Sequence, residues 1–349
     1  MHYADLAEGH RISRVIKGGW QLAGGHGEID TRTSIEDMIA FADAGITTFD
    51  CADIYTGVEE LIGAFRGEYE RQRGAEALTK IKVHTKCVPD LTRLATIDKP
   101  ALEAAIDTSL KRLRTDALDL VQFHWWDYSV DRQVEVALWL AELRAAGKIR
   151  NIGGTNFDTT QLLRMLDAGV PLVSMQAQYS LIDDRPGRRM VDVARAHDVQ
   201  FLCYGTVAGG LFSERWLGAP EPVEPLENRS LVKYKLIVDE FGGWALFQEL
   251  LAALDRVARR RGSDIASVAS RVVLDRPGVA AVIVGARNRA HLDRNIAIPD
   301  IELDDSDRAE IDAVLARGHP VPGDVYSVER DRTGPHGSIM KYNLNTEAH

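Results

Sequence analysis

A carboxylate, a phenol, an ammonium and an imidazole follow one another along the 349-residue chain at Asp50, Tyr55, Lys86 and His124. A phenol ionises near pH 10 and donates a proton poorly at neutral pH unless the anion it leaves is stabilised. A neighbouring ammonium supplies that stabilisation, and a carboxylate holds the ammonium in place. A shift of three units in the phenol would correspond to about 4 kcal/mol. Asp50, Lys86 and Tyr55 have these residue types, and His124 is able to orient a carbonyl oxygen beside the phenol. The set reads as a proton donor for carbonyl reduction.

Residues so far apart meet only if the fold gathers them. Short β-branched or apolar runs end near Trp20 and at TTFDCADIY, VHTKC, DLVQFHWW, IRNIGGTN, LVSMQAQ, VQFLCYG and AAVIVGA, and helical periods lie between them. In SIEDMIAFADAG, apolar residues recur at Ile35, Met38, Ile39 and Ala42, with Ser34 as the expected N-cap and Gly45 as the stop. Marking each strand near its end gives Trp20, Asp50, Lys86, His124, Asn156, Gln176, Tyr204 and Val284, spaced by 30, 36, 38, 32, 20, 28 and 80 residues. Every interval but the last suits one strand-helix unit. The last holds an insertion, LFSERWLGAPEPVEPLENRSLVKYK, and two helical patterns. Eight units predict an α/β fold of the (β/α)8 TIM-barrel type, as one domain over 1–349, with a long insertion between strands 7 and 8. A tail over about 318–349, rich in Pro and Gly, is expected to fold over the barrel mouth. In such a barrel the chemistry sits at the carboxyl ends of the strands, where Asp50, Asp53, Tyr55, Lys86, His124, Thr155, Asn156 and Gln176 fall.

Composition narrows the function further. Lys plus Arg total 42 against 52 Asp plus Glu, a net charge of −10, which argues against sequence-independent nucleic-acid binding or attachment to an anionic membrane. The N-terminus has no apolar core of a signal peptide and no stretch approaches 18 apolar residues, so a soluble cytoplasmic protein is expected. Cys51, Cys87 and Cys203 lack C-x-x-C spacing and read as buried thiols. H-x-H at a strand end, H-E-x-x-H, G-x-S-x-G and the P-loop pattern do not occur, so no metal site, serine hydrolase or P-loop chemistry is expected. The glycine-rich GGHGEID lacks the third glycine of a dinucleotide fingerprint and reads as a loop over the substrate, and RGEYERQRGAE as a solvated helix end.

From about Val15 to Asn295 the chain resembles the aldo-keto reductase superfamily. FDCADIYTGVEELIG is similar to the family segment that carries its aspartate, here Asp50, and its catalytic tyrosine, here Tyr55; HTKC supplies Lys86, and VQFHW supplies His124. The resemblance implies a nicotinamide cofactor. Thr155 and Asn156 of IGGTNF, with Gln176 of SMQAQYS, would bond the carboxamide, and Tyr204 of LCYGTVAGGL would stack on the ring. The loop from Gly205 through Thr206 and Gly209 to Leu211 would pass along the pyrophosphate. VGARNRAHLDRN resembles the adenosine-phosphate segment and implicates Gly285, Ala286, Arg287, His291 and Asn295, where a helix start would also point N–H groups at a phosphate. Gly285 and His291 stand where many relatives carry a lysine and an arginine for the 2′-phosphate; with Arg287, Arg289 and Arg294 close by, NADPH is expected over NADH.

Trp20 and Trp125 are expected to form a stacking wall for the substrate, Trp126 less so, and His84 to fill a barrel layer. The leading expectation is reduction of an aldehyde or ketone, or the reverse oxidation. Two alternatives stand beside it: a redox-sensing subunit that binds the cofactor and turns over slowly, and a barrel lyase or isomerase using Lys86 as a Schiff base. Natural substrate and oligomeric state are not readable.

Overall fold

The computed structural model describes residues 2–23 and 29–340. A hairpin, β1 (Tyr3–Ala7) with antiparallel β2 (His10–Ser13), precedes eight parallel strands. These are β3 (Val15–Gly18), β4 (Thr48–Asp50), β5 (Lys82–Cys87), β6 (Leu120–Phe123), β7 (Ile152–Thr155), β8 (Leu172–Gln178), β9 (Gln200–Tyr204) and β10 (Val279–Gly285). They pair in chain order, and β10 closes on β3. The expected closed (β/α)8 barrel is therefore observed, with all eight expected strands.

Five of the longer helices start where a short polar side chain replaces a missing backbone partner. Asp30, Asp98, Asp158, Asn228 and Asp264 each accept an N–H from the first turn of the helix that follows. The expectation of Ser34 as a cap is corrected: the first helix runs Thr31–Asp43 and Asp30 caps it, which places Ser34 in its first turn. Helix Val58–Arg73 carries RGEYERQR as its own last turns. The insertion holds an unforeseen helix, Arg229–Phe241, which bends at Gly242 into the expected helix Gly243–Arg260. A further helix not foreseen, Asp305–Leu315, begins with a reciprocal capping box between Asp304 and Asp307.

The barrel wall shares one apolar core with the helices over the earlier strands, and helices Arg229–Phe241 and Gly243–Arg260 pack in a second. A separate cluster fills the barrel's lower interior, where Leu6 and Ile12 of the hairpin meet Leu120, Leu202 and Ala280. The hairpin thus plugs the floor, and Gln200 at the start of β9 donates to the Asp5 carbonyl there. His84 is fully buried inside β5 as the layer-filling residue expected, and its Nε2 lies 3.0 Å from His10 Nε2.

At the other end the tail does lie over the mouth as far as it is described. Glu329, buried, binds Arg185 through both oxygens at 2.9 and 3.0 Å, and Arg185 in turn holds Asp183. Arg330 donates to the carbonyls of Trp125, Trp126 and Asn156. Arg330 of this tail, a strap across the mouth, therefore caps the ends of strands β6 and β7. No helix among the described residues is long and apolar enough to cross a membrane.

Candidate functional site

A cavity of about 540 Å³ opens at the carboxyl ends of the strands. Asp50, Tyr55, Lys86 and His124 all line it, as do Thr155, Asn156, Gln176 and Tyr204. Parallel pairing explains the convergence, because each strand ends at the same level and turns its last inward side chain to the axis. Lys86 stands beside Gln122 in the β5–β6 register, and Thr155 beside Gln176 in that of β7–β8.

Asp50 is the hub. Its Oδ2 accepts from Lys86 Nζ at 2.7 Å, and its Oδ1 accepts from Gln122 Nε2 at 2.8 Å and Gln176 Nε2 at 2.6 Å. Lys86 Nζ also donates to the Cys51 carbonyl at 2.8 Å. Burial works against the Lys86 charge, but Asp50 and then Tyr55 outweigh it and leave the ammonium pKa raised. A lysine held so firmly protonated is a poor Schiff-base nucleophile, and that alternative loses its footing.

Lys86 Nζ lies 5.2 Å from the centroid of the Tyr55 ring. Its effect on the phenol has the expected sign, yet burial is larger and the Tyr55 pKa is raised overall. The phenol therefore stays protonated and ready to donate, while Lys86 lowers the cost of the anion it leaves.

Burial and then the nearby charge of Arg330 push the His124 pKa down to about 3, so the ring is neutral. Nδ1 sits 3.0 Å from the Thr155 carbonyl oxygen. That oxygen can only accept, so Nδ1 carries the hydrogen and Nε2 keeps a lone pair. Nε2 is buried and has no partner among the described residues. In this tautomer it accepts from an alcohol hydroxyl and cannot donate to a carbonyl, which alters the role expected of it.

The aromatic wall differs from expectation in one place. Trp20 meets Tyr55 edge-on at 5.1 Å and lines the cavity from a short 3-10 turn past β3. Trp125 does not line it: the ring is fully buried, tilted against Phe123 at 5.9 Å, and Nε1 donates to the carbonyls of Asp127 and Val130. Trp126 takes that place, edge-on to His124 at 4.3 Å. Alternation continues past the end of β6, so 124 and 126 face inward and 125 outward. Tyr326 and Met340 of the tail and Lys233 of the insertion helix complete the wall. Of GGHGEID, residues 24–28 lie outside those described.

The expected cofactor residues divide. Tyr204 donates its hydroxyl to Asn156 Oδ1 at 2.8 Å, and the Thr155 hydroxyl is buried without a partner among the described residues. The Gln176 amide nitrogen is already spent on Asp50 and on Gln122 Oε1. Gly205 and Gly209 line the cavity with φ of 77° and 64°, and a Cβ on either would strike Tyr234 at 2.3 or 2.6 Å. That glycine cradle, beside a ring and an orphaned hydroxyl, fits a dinucleotide. Thr206 and Leu211 turn away from it. Thr206 Oγ1 bonds Ser270 Oγ at 2.9 Å, and Leu211 is buried in the apolar core.

Gly285 lines the rim. Ala286 is buried, and its carbonyl accepts from Lys17 at 3.0 Å. Arg287, His291 and Asn295 lie beyond the cavity on the following surface segment. A helix start is not found at Arg287: the segment opens with a single 3-10 turn whose Ala290 N–H is taken by Asn288, and helix Leu292–Ala297 follows.

A closed barrel with an ion-paired lysine beside a half-buried tyrosine at its mouth defines a class of oxidoreductase sites. A model of the Aldo/keto reductase family matches residues 14–316. Aldo-keto reductase YhdN of Bacillus subtilis is 32% identical over 323 residues, 90% of this chain and 94% of the relative. An NADH-specific methylglyoxal reductase of Escherichia coli is 23% identical over 322 residues, 85% of this chain and 92% of the relative. A solved glycerol dehydrogenase from Gluconobacter oxydans superposes with a TM-score of 0.73 at 24% identity, over 90% of this chain and 95% of that one. The chain belongs to the aldo/keto reductase family, oxidoreductases of carbonyl substrates that use nicotinamide cofactors. These relatives give no support to the slow redox-sensing subunit.

Proposed function

We propose that this protein is an NADPH-dependent reductase of aldehydes or ketones with Tyr55 as its general acid. The observation that carries the reading is the buried Asp50–Lys86 pair set against Tyr55 in a cavity that also holds Asn156 and Tyr204. Thr155, Asn156, Tyr204 and the loop Gly205–Gly210 would hold the cofactor, with Arg287, His291 and Asn295 toward its adenosine end. When bound, the reduced nicotinamide supplies a hydride for the carbonyl carbon. Tyr55 gives its proton to the carbonyl oxygen, Lys86 stabilises the phenolate that remains, and Asp50 holds Lys86 in place. His124 Nε2 then accepts from the alcohol hydroxyl. In oxidation the same groups run in reverse, with the phenolate as base.

The preference for NADPH rests on the basic run Arg287, Arg289, His291 and Arg294. We take the chain as one barrel domain with a tail, and its three buried free cysteines favour the cytoplasm. Trp20 and Trp126 would bound the substrate. The test is a fluorescence titration with NADPH and NADH in parallel, then single-turnover oxidation of the bound cofactor by an aromatic aldehyde. Tight NADPH binding with rapid hydride loss is expected, and failure to bind either nucleotide would overturn the assignment.

A further inference from the structure

The loop that carries Tyr55 is tied to the strand end that carries Lys86 by a side chain the proposed chemistry does not use. Asp53 stands between Asp50 and Tyr55, and its Oδ2 accepts the N–H of Val88, two residues past Lys86, at 2.9 Å. From the same side Arg112 Nη1 reaches both the Asp53 carbonyl and Glu59 Oε2 at 3.4 Å. Glu59 is buried at the start of helix Val58–Arg73 and accepts from Thr85 Oγ1, just before Lys86, at 2.6 Å. The Tyr55 segment is therefore fastened to β5 on both sides of Lys86.

The contact that matters chemically has no such fastening of its own. An ammonium 5.2 Å from a ring centroid is held by a soft, weakly directional attraction, so its geometry is set by the backbones that bring the two groups together. Displacement by about 1 Å at a reacting group costs on the order of 100-fold in rate. We infer that Asp53 is a positioning residue whose carboxyl clips the Tyr55 loop to the Lys86 strand end and so sets the phenol–ammonium geometry. This rests on the reading of Tyr55 as the proton donor.

The clip needs an acceptor and not a charge. Asp53 Oδ1 is buried without a partner among the described residues, and Asp53 lines a second cavity of about 150 Å³ with Cys87 and Leu102. Burial pushes the carboxyl up to about 8, against the Val88 N–H, with Glu59 adding to the rise and Lys86 opposing it. A neutral amide oxygen is thus a fair substitute at the Val88 N–H.

The experiment compares Asp53→Ala, Asp53→Asn and Val88→Pro with the wild type, using NADPH and an aromatic aldehyde. Asp53→Ala is expected to lower kcat at least tenfold while KM for the aldehyde and Kd for NADPH stay within threefold. Asp53→Asn should keep kcat within threefold. Val88→Pro removes the donor and leaves the carboxyl in place, so it should reproduce the alanine effect and keeps the test open if that variant misfolds. A second readout is the titration of the Tyr55 phenol by NMR of ¹³C-labelled tyrosine, assigned with Tyr55→Phe. Both variants remove the Asp53 charge that raises the phenol, so Asp53→Asn should move it down, and Asp53→Ala should leave it about a unit above the asparagine variant, as Lys86 loses its hold. A wild type that turns over no carbonyl would refute the reductase reading, while this titration still judges the clip. Equal losses in the alanine and asparagine variants, a loss confined to KM or Kd, or the same phenol titration in both variants would each overturn the inference.

Discussion

At the mouth of the barrel Lys86 and Asp50 are buried as a charged pair 2.7 Å apart, whereas at the floor His10 and His84 are buried as neutral rings 3.0 Å apart. Both ends remove titratable groups from water, and the cost of doing so is met differently. The mouth supplies counter-charge and amide donors, Gln122 and Gln176 included, so its lysine keeps a proton. The floor supplies almost none: burial lowers the His10 pKa to about 4 and that of His84 well below its usual value. One hydrogen suffices for the two facing nitrogens. A barrel can thus bury charge where chemistry uses it and exclude charge where only packing is needed.

Breaking the mouth should have the largest effect. Tyr55→Phe should reduce kcat by about 100-fold or more, with nucleotide binding nearly unchanged, since a positioned general acid contributes about that much. Single-turnover kinetics read this directly, and retention of a tenth of the activity would refute the role. Asp50→Asn leaves Lys86 as a buried cation without its counter-charge. It should destabilise the fold by roughly 3–5 kcal/mol in urea denaturation. An unchanged midpoint would mean that Gln122 and Gln176 already hold the site together.

The floor should respond to acid instead. The unfolded histidine binds its proton near pH 6.5 and folded His10 near 4, so the unfolded state gains protons first as pH falls. Stability is complete above pH 6.5 and should drop by about 3 kcal/mol on the way to pH 4 from His10 alone. Denaturation midpoints across that range check this, and replacing both histidines by leucine should flatten the slope without altering turnover at pH 7. The smallest effect is expected at the rim. Arg287→Ala should weaken NADPH roughly tenfold, the scale of one charge-assisted contact, and leave NADH little changed. Equal loss for both nucleotides would place Arg287 away from a 2′-phosphate.

The proposed proton donor and the three residues around it were legible because Asp50, Lys86 and His124 each stand at the end of a strand of the same parallel sheet, with Tyr55 on the loop after Asp50, and chain order alone fixes who stands beside whom. The eight strands were legible for the same reason. Other features depend on contacts that no spacing records. Trp125 and Trp126 are adjacent and alike, and only the inward direction of His124 decides which faces the cavity. Helix Arg229–Phe241 carries buried Leu231, Tyr234, Ile237, Val238 and Phe241 at helical period, but the Pro- and Glu-rich run before it hid the start. Gln122, a polar residue within an apolar strand two places before His124, was a readable sign of an inward hydrogen bond. The tautomer of His124 was beyond reach, being set by a carbonyl from another strand.

The strap also bears on how the molecule comes into being. A polypeptide emerges amino end first, and the carbonyl of Asn156 must wait 174 positions for the guanidinium of Arg330. Strand β10 has been made by then and the barrel is able to close, yet the rim between β6 and β7 still lacks its clasp. A chain cut short after β10 would therefore hold every strand of the scaffold and lack the clasp of its doorway.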